Sequence, residues 1–125
     1  MAQQKPRDGG PLEQPGRLTV VTTATDGVRV VSLTGEIDHD TAHQLRQALD
    51  VAGIRRPRIV VDLRRVTFMD SSGLNALIAA HQAVTEAGGW LRLAAPTAPV
   101  QRVLQLVGVD QLITCHPTLR QALTP

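Results

Sequence analysis

Two short stretches hold the side chains best placed to do chemistry. In VTFMDSSGLNALIAAH, Val66 to His81, an apolar run ends in Asp70-Ser71-Ser72-Gly73 and a helical pattern begins at once. The N-terminus of a helix offers four unpaired N–H groups and a partial positive charge. One Asp or Ser there is worth about 1 kcal/mol as a cap. A cap needs only one side chain, and this junction carries three polar ones and a glycine. The same geometry suits an anion. A phosphate placed on a serine would land on free N–H groups at little cost to the fold, and would add about −1.5 to −2 charges to the surface. The junction is therefore either a plain cap or a reversible charge switch.

The second stretch, GEIDHDTAH, Gly35 to His43, sets Glu36, Asp38 and Asp40 in an acidic lip directly after a β-prone run. His39 and His43, four residues apart, imitate part of a zinc-binding H-E-x-x-H helix. The helix is expected to begin near Thr41, which leaves His39 ahead of it, and no third ligand has suitable spacing. Acidic side chains that complement the helix dipole explain the cluster without a metal. A serine nucleophile fares no better. The strained elbow needs glycine two residues to each side of the serine. Ser71 has Gly73 after it but Met69 before it, and no HGG-type oxyanion loop occurs. His81 falls on the apolar stripe of the following helix, as a partly buried core residue would. Neither G-x-x-x-x-G-K-[ST] nor G-x-G-x-x-G is present, so the chain is not expected to hydrolyse nucleotides. No catalytic residue, metal or cofactor is assigned.

Arg55, Arg56, Arg58, Arg64 and Arg65 flank the apolar run Ile59 to Leu63, and Lys5 is the only lysine. A basic patch can mark nucleic-acid binding. Phe68 and Trp90 are the only aromatics, however, so there is little for bases to stack on. Arginines at the solvated ends of a buried strand, offset by the fields of Asp62, Asp70 and Glu36, explain the patch without nucleic acid.

The elements that must position these groups follow from periodicity. RLTVVTTA and VRVVSLTG are rich in Val and Thr and are joined by Asp26-Gly27, a strong hairpin signal. Leu45, Ala48, Leu49 and Ala52 recur at helical spacing, with Asp40 or Thr41 as N-cap and Gly53 as the stop. RIVVDL is almost wholly apolar, as a strand covered on both faces should be. After Ser71, Leu74, Leu77, Ile78, His81 and Val84 line one side of a helix that Gly88-Gly89 ends. WLRLAA alternates like a strand. Val100, Val103, Leu104 and Val107 mark a helix opened by Thr97 and closed by Gly108. LITCH is a short last strand and TLRQAL a final short helix. Alternation of this kind predicts one α/β domain with crossover connections: a mixed sheet of about four to five strands with about four helices.

Composition agrees. A chain of 125 residues, 42% hydrophobic and 19% charged with a net charge of +2, suits a single globular domain. The single Cys115 rules out an internal disulfide and fits a reducing compartment. No apolar run approaches the roughly 20 residues of a membrane span, and MAQQKPRDGG has no apolar core of a signal peptide. A cytoplasmic location is expected, with neither membrane nor direct nucleic-acid partner. Residues 1–16 hold three prolines, three glycines and no β-branched residue, which predicts a flexible tail before a folded domain spanning 17–125.

Taken together, LTGEIDHDTAHQL and VTFMDSSGLNAL resemble the two signature segments of the STAS domain. More narrowly they resemble the bacterial anti-sigma factor antagonists of sporulation and general stress response. The resemblance runs from about Arg17 to Leu123, and the order of elements agrees with it. It implies a phosphoprotein that regulates transcription. The first serine of D-S-S-G, here Ser71, would be phosphorylated by the partner anti-sigma factor, an ATP-using serine kinase. Unphosphorylated antagonist would bind that kinase and free the sigma factor; phosphorylated antagonist would let go, and a serine phosphatase would reset it. Glu36 and Asp38 would contribute to docking, alongside Asp70, Ser72, Gly73 and Asn75. Asn75 departs from the glycine common in the family. Ser72, one residue into the helix, is the lesser candidate acceptor, its hydroxyl better placed to cap than to meet an ATP γ-phosphate. The same fold also serves in anion transporters and lipid-transport complexes, so a STAS subunit without a phosphoswitch is the alternative.

Overall fold

The computed structural model describes residues 18–125. The expected tail 1–16 lies outside the described residues. The described residues form five strands and five helices. They are β1 Leu18–Thr25, β2 Val28–Ile37, α1 Ala42–Ala48, β3 Arg58–Met69, α2 Ser71–Glu86, β4 Trp90–Ala94, α3 Ala98–Leu106, α4 Val109–Leu112, β5 Cys115–His116 and α5 Leu119–Leu123. The strands lie in the order β1-β2-β3-β4-β5, with β1 antiparallel to β2 and every other pair parallel. The α/β class and mixed sheet expected from the sequence are what the chain adopts.

Asp26 and Gly27 both take positive φ, 52° and 80°, so Thr25 pairs with Val28 across a two-residue turn whose twist suits the hairpin. Each parallel crossover then returns a helix to the sheet. Val31, Leu33, Ile59, Val61, Leu91 and Leu93 pack beneath Leu45, Leu77, Val84, Val100 and Leu104 of α1, α2 and α3. Successive strand residues face opposite sides, so Val30, Val60 and Ala94 look the other way and are covered by Ala122, Leu119 and Leu123 of α5.

Three elements depart from the periodicity, each for a local reason. α1 stops at Ala48, before Ala52 of the expected stripe. There the Arg29 guanidinium donates from Nη1 to the carbonyls of Ala48 and Asp50, at 3.0 and 2.9 Å, while Asp50 Oδ1 accepts from the Ala52 N–H. These bonds close the helix end and start a turn instead. β5 shrinks to Cys115–His116 because Leu112 ends the short helix α4, which was not expected. Val107, placed on a helical stripe by spacing, is the C-cap residue of α3 and is 57% exposed.

β3 runs six residues past Leu63. Opposite Ser32-Thr34 it advances from Asp62 to Arg65, and opposite Gly35-Glu36 from Val66 to Phe68, so it carries an extra residue at each of two places. These bulges reset which residues face the core. Leu63, Val66 and Met69 are all buried in it at a spacing of three rather than two. Arg64 and Arg65 are therefore exposed mid-strand residues rather than strand-end residues, and Arg64 Nη2 pairs with the buried Asp62 Oδ2 at 3.5 Å.

Candidate functional site

The parallel register of β2 and β3 brings the two polar stretches to one end of the sheet. Glu36 lies opposite Phe68 and Ile37 opposite Met69, and the Asp70 N–H donates to the Ile37 carbonyl at 3.1 Å. The acidic loop after β2 and the start of α2 are thus neighbours by construction.

Asp70 is the N-cap of α2. Its extended backbone (φ −105°, ψ −170°) turns the carboxylate back over the helix, where Oδ1 accepts from the N–H groups of Ser72 at 2.8 Å and Gly73 at 3.3 Å. Its carbonyl takes the Leu74 N–H at 3.1 Å. The cap is therefore made by the carboxylate, and Ser72 serves it through its backbone rather than its hydroxyl. Ser71 occupies the first helical position, exposed to solvent and not needed for the cap. The opening expectation needs one correction. A phosphate on Ser71 would find the N–H groups of Ser72 and Gly73 already held by Asp70. It would arrive beside a carboxylate instead.

Gly73 is buried, and its place is explained by packing. A Cβ there would come within 2.7 Å of Ile37 Cγ2 and 2.8 Å of Met69 Cγ. The missing side chain lets α2 start directly against the ends of β2 and β3, which fixes where Ser71 stands. Asn75 is exposed one turn further on.

In the acidic loop, Asp38 rather than Asp40 or Thr41 closes the start of α1. Its Oδ1 accepts from the N–H groups of Asp40 at 2.9 Å and Thr41 at 3.1 Å. Thr41 sits at the N-cap position without capping. It is 4% exposed; its hydroxyl donates to the Glu36 carbonyl at 3.0 Å and accepts from the Asp38 N–H at 2.9 Å. Glu36 and Asp38 are half-buried and His39, Asp40 and His43 exposed. His39 lies in the turn before α1, so the two histidines do not share a helix. Among the described residues no three His, Cys, Asp or Glu side chains converge as metal ligands must. His81 is ten residues along α2 from Ser71, about 15 Å at 1.5 Å per residue, far beyond the reach of a general base.

Sequence reasoning overlooked Phe68. It belongs to the apolar run before Asp70, yet it is 47% exposed beside Glu36, because the second bulge turns it off the core face. The spacing of Val66 and Met69 was the available signal. Thr41 was likewise noted only as a cap, though it ties the acidic loop together from the inside.

Comparison with known proteins agrees with this geometry. The profile of the STAS domain matches residues 19–122. The anti-sigma F factor antagonist of Paenibacillus polymyxa is 34% identical over 100 residues, covering 78% of this chain and 86% of that one. The crystal structure of an anti-sigma factor antagonist from Mycobacterium paratuberculosis superimposes with a TM-score of 0.79 at 36% identity, covering 90% of this chain and 96% of its own. The anti-sigma factor antagonist SpoIIAA in its unphosphorylated form gives a TM-score of 0.67 at 25% identity, with 83% and 92% covered. Among the described residues no helix is long and apolar enough to cross a membrane. With its sheet order, its capped D-S-S-G helix and the adjoining acidic loop all in place, the chain belongs to the STAS domain family.

Proposed function

We propose that this protein is an anti-sigma factor antagonist switched by phosphorylation of Ser71. Unphosphorylated, it docks its Ser71 pole on an anti-sigma factor that is also an ATP-using serine kinase, and so releases the sigma factor. Phosphorylated, it lets go until a serine phosphatase restores the hydroxyl. The observation that carries this reading is the division of labour at α2: Asp70 makes the cap, and Ser71 is left standing in solvent at the first turn. Support also comes from the relatives named anti-sigma factor antagonists and from the description of one similar antagonist in an unphosphorylated form.

The electrostatics give the switch a direction. Glu36, Asp38, Asp40 and Asp70 gather at this pole. Docking removes water from them, and a surface that accepts them carries positive charge. A phosphate adds about two further negative charges next to Asp70 and costs desolvation on docking. A loss of about 3 kcal/mol weakens a complex roughly 100-fold. No refolding is needed, because neither the cap nor the Gly73 packing involves the Ser71 hydroxyl. Phe68 and Asn75 flank the acceptor and complete the docking surface. The chain itself acts in this reading as a regulator, and the distance between Ser71 and His81 leaves Ser71 without that histidine as a base.

The test is direct. Incubation with the kinase and ATP followed by mass spectrometry is expected to place one phosphate on Ser71. Modification of Ser72 alone would refute the assignment. Ser71→Ala is expected to bind the anti-sigma factor constitutively and Ser71→Asp to bind poorly; equal affinity of the two variants defeats the electrostatic account.

A further inference from the structure

The arginines that the Ser71 switch leaves unused form a second feature at the other end of the sheet. β3 separates the two poles by about 36 Å, the rise over the steps between its 12 residues at roughly 3.3 Å each. At the start of that strand, Arg29, Arg55, Arg56 and Arg58 line one cleft with Gly27 and Ile54, of about 290 Å³. Asp62, Asp70 and Glu36 do not offset this charge as the sequence suggested. Asp62 pairs with Arg64, and the other two lie at the Ser71 pole. Among the described residues no carboxylate lies within 4.0 Å of any of the four guanidinium groups, the one ion pair being Arg64–Asp62.

The platform under these charges is fixed. The Ile54 N–H donates to the Val51 carbonyl at 3.0 Å, the Arg56 N–H to the Ala87 carbonyl at 2.9 Å, and the Trp90 N–H to the Pro57 carbonyl at 2.9 Å. A Cβ on Gly89 would collide with the Pro57 backbone, and one on Gly27 with the Arg58 guanidinium. Gly89 therefore lets the loop backbone close on the end of α2, whereas the mobile end of Arg58 simply lies over Gly27. Arg29 is anchored by its two carbonyl acceptors. Arg56 is held at φ +52°, a left-handed conformation that a long side chain adopts at an energetic cost. Four arginines with no carboxylate partner and one left-handed backbone position thus share a loop held by backbone hydrogen bonds, and together they mark this cleft out from the rest of the surface.

We propose that this cleft binds a compact, multiply charged phosphate anion of diphosphate or triphosphate type. Guanidinium forks match phosphate oxygens two at a time, and several cations in one cleft call for an anion carrying several charges. The volume sits at the small end of ligand pockets, which run from about 300 to 1,000 Å³. No aromatic side chain lines it, so the recognised part is the phosphate chain and not a base. Phosphate chemistry of this kind comes either from a free anion or from a lipid headgroup. The cleft has Ile54 (42% exposed) as its only exposed large apolar side chain and so offers little for a membrane to bury, which favours the free anion.

Titration calorimetry of the full chain with inorganic pyrophosphate at low salt tests this. One-to-one binding is expected, weakened about tenfold by Arg55→Gln and about tenfold more when Arg58→Gln is added. Both residues are exposed, and the melting temperature monitors their folding. Arg56→Gly gives an independent reading: relief of the left-handed strain is expected to raise the melting temperature while pyrophosphate affinity falls. Vesicles of phosphatidylglycerol form the second arm, and no co-sedimentation is expected. Absence of pyrophosphate binding, unchanged affinity in the arginine variants, or binding to the vesicles alone would each overturn the proposal.

Discussion

Gly73→Ala is the perturbation whose magnitude follows most directly from the geometry. The new methyl group would approach Ile37 Cγ2 to 2.7 Å and Met69 Cγ to 2.8 Å, where ordinary contact begins at 3.4 Å. Something must yield by about 0.6–0.7 Å. Met69 can adapt, since its thioether chain is flexible. Ile37 is β-branched, fully buried at the end of β2, and stiff about χ1. Overpacking of this kind costs about 1–3 kcal/mol, against which alanine recovers up to about 1 kcal/mol of helix propensity over glycine. Taking the middle of the overpacking range, about 2 kcal/mol, less the up to about 1 kcal/mol recovered, leaves a net loss of about 1–2 kcal/mol. In a domain near this size each kcal/mol lowers Tm by about 4–8 °C, so calorimetry or a circular-dichroism melt should show a fall of about 5–15 °C. Ile37→Leu removes the offending Cγ2 at nearly constant volume. In the Gly73→Ala background it should restore part of the loss, giving a favourable coupling in a double-mutant cycle. A Gly73→Ala protein as stable as the parent, or a pair whose effects simply add, would refute the claim that α2 is seated by this contact.

Further expectations concern the caps and the thiol. Asp70→Ala should cost about 1 kcal/mol in a denaturant melt through loss of the α2 cap. Asp70→Asn keeps an acceptor and should cost less, yet it should shrink the effect of Ser71 phosphorylation on partner affinity several-fold. A full phosphorylation effect in Asp70→Asn would place the repulsion elsewhere. Thr41→Val should cost about 1–3 kcal/mol, because the half-buried Glu36 carbonyl and Asp38 N–H lose the partner that the buried Thr41 hydroxyl gave them; urea unfolding measures it. Burial first, and the Asp110 carboxylate second, push the Cys115 thiol above its ordinary range. Its folded pKa thus exceeds the unfolded one. The stability it contributes is complete below the unfolded pKa and is lost as pH rises through the folded value. Alkylation by iodoacetamide should be slow at mildly alkaline pH and faster in Asp110→Asn; equal rates would contradict the electrostatic part.

Much of this architecture is written in local patterns. The Asp26-Gly27 turn, the almost wholly apolar run at Ile59–Leu63 and the helix after Ser71 each follow a composition, period or turn rule. The Gly88-Gly89 stop behaves the same way: Gly88 donates to the Thr85 carbonyl and Gly89 to that of Val84, the paired bonds that close a helix on glycine. What was not legible depends on partners distant in sequence. The end of α1 is set by Arg29, nineteen residues before Ala48. The buried face of β3 beyond Leu63 depends on two bulges against β2, which convert a spacing of two into three around Val66 and Met69 and expose Phe68. Thr97 opens α3 as spacing suggested, but its hydroxyl donates to the Val66 carbonyl at 2.7 Å and staples the helix to β3 instead of capping it. At the candidate site, residue types were readable and the allocation of bonds was not. Three polar side chains at Asp70-Ser71-Ser72 left open which one caps, and only the extended backbone of Asp70 decides it.

In the proposed switch, a charge on the Ser71 hydroxyl, and nothing else, undoes docking. The measurement that meets it most squarely is the dissociation constant for the cognate anti-sigma factor, read by surface plasmon resonance before and after stoichiometric phosphorylation of Ser71, with the melting temperature of both forms in parallel. Roughly 100-fold weaker binding at an unchanged melting temperature is the expected result. Affinity within twofold between the two forms, or weaker binding accompanied by loss of the fold, would contradict it.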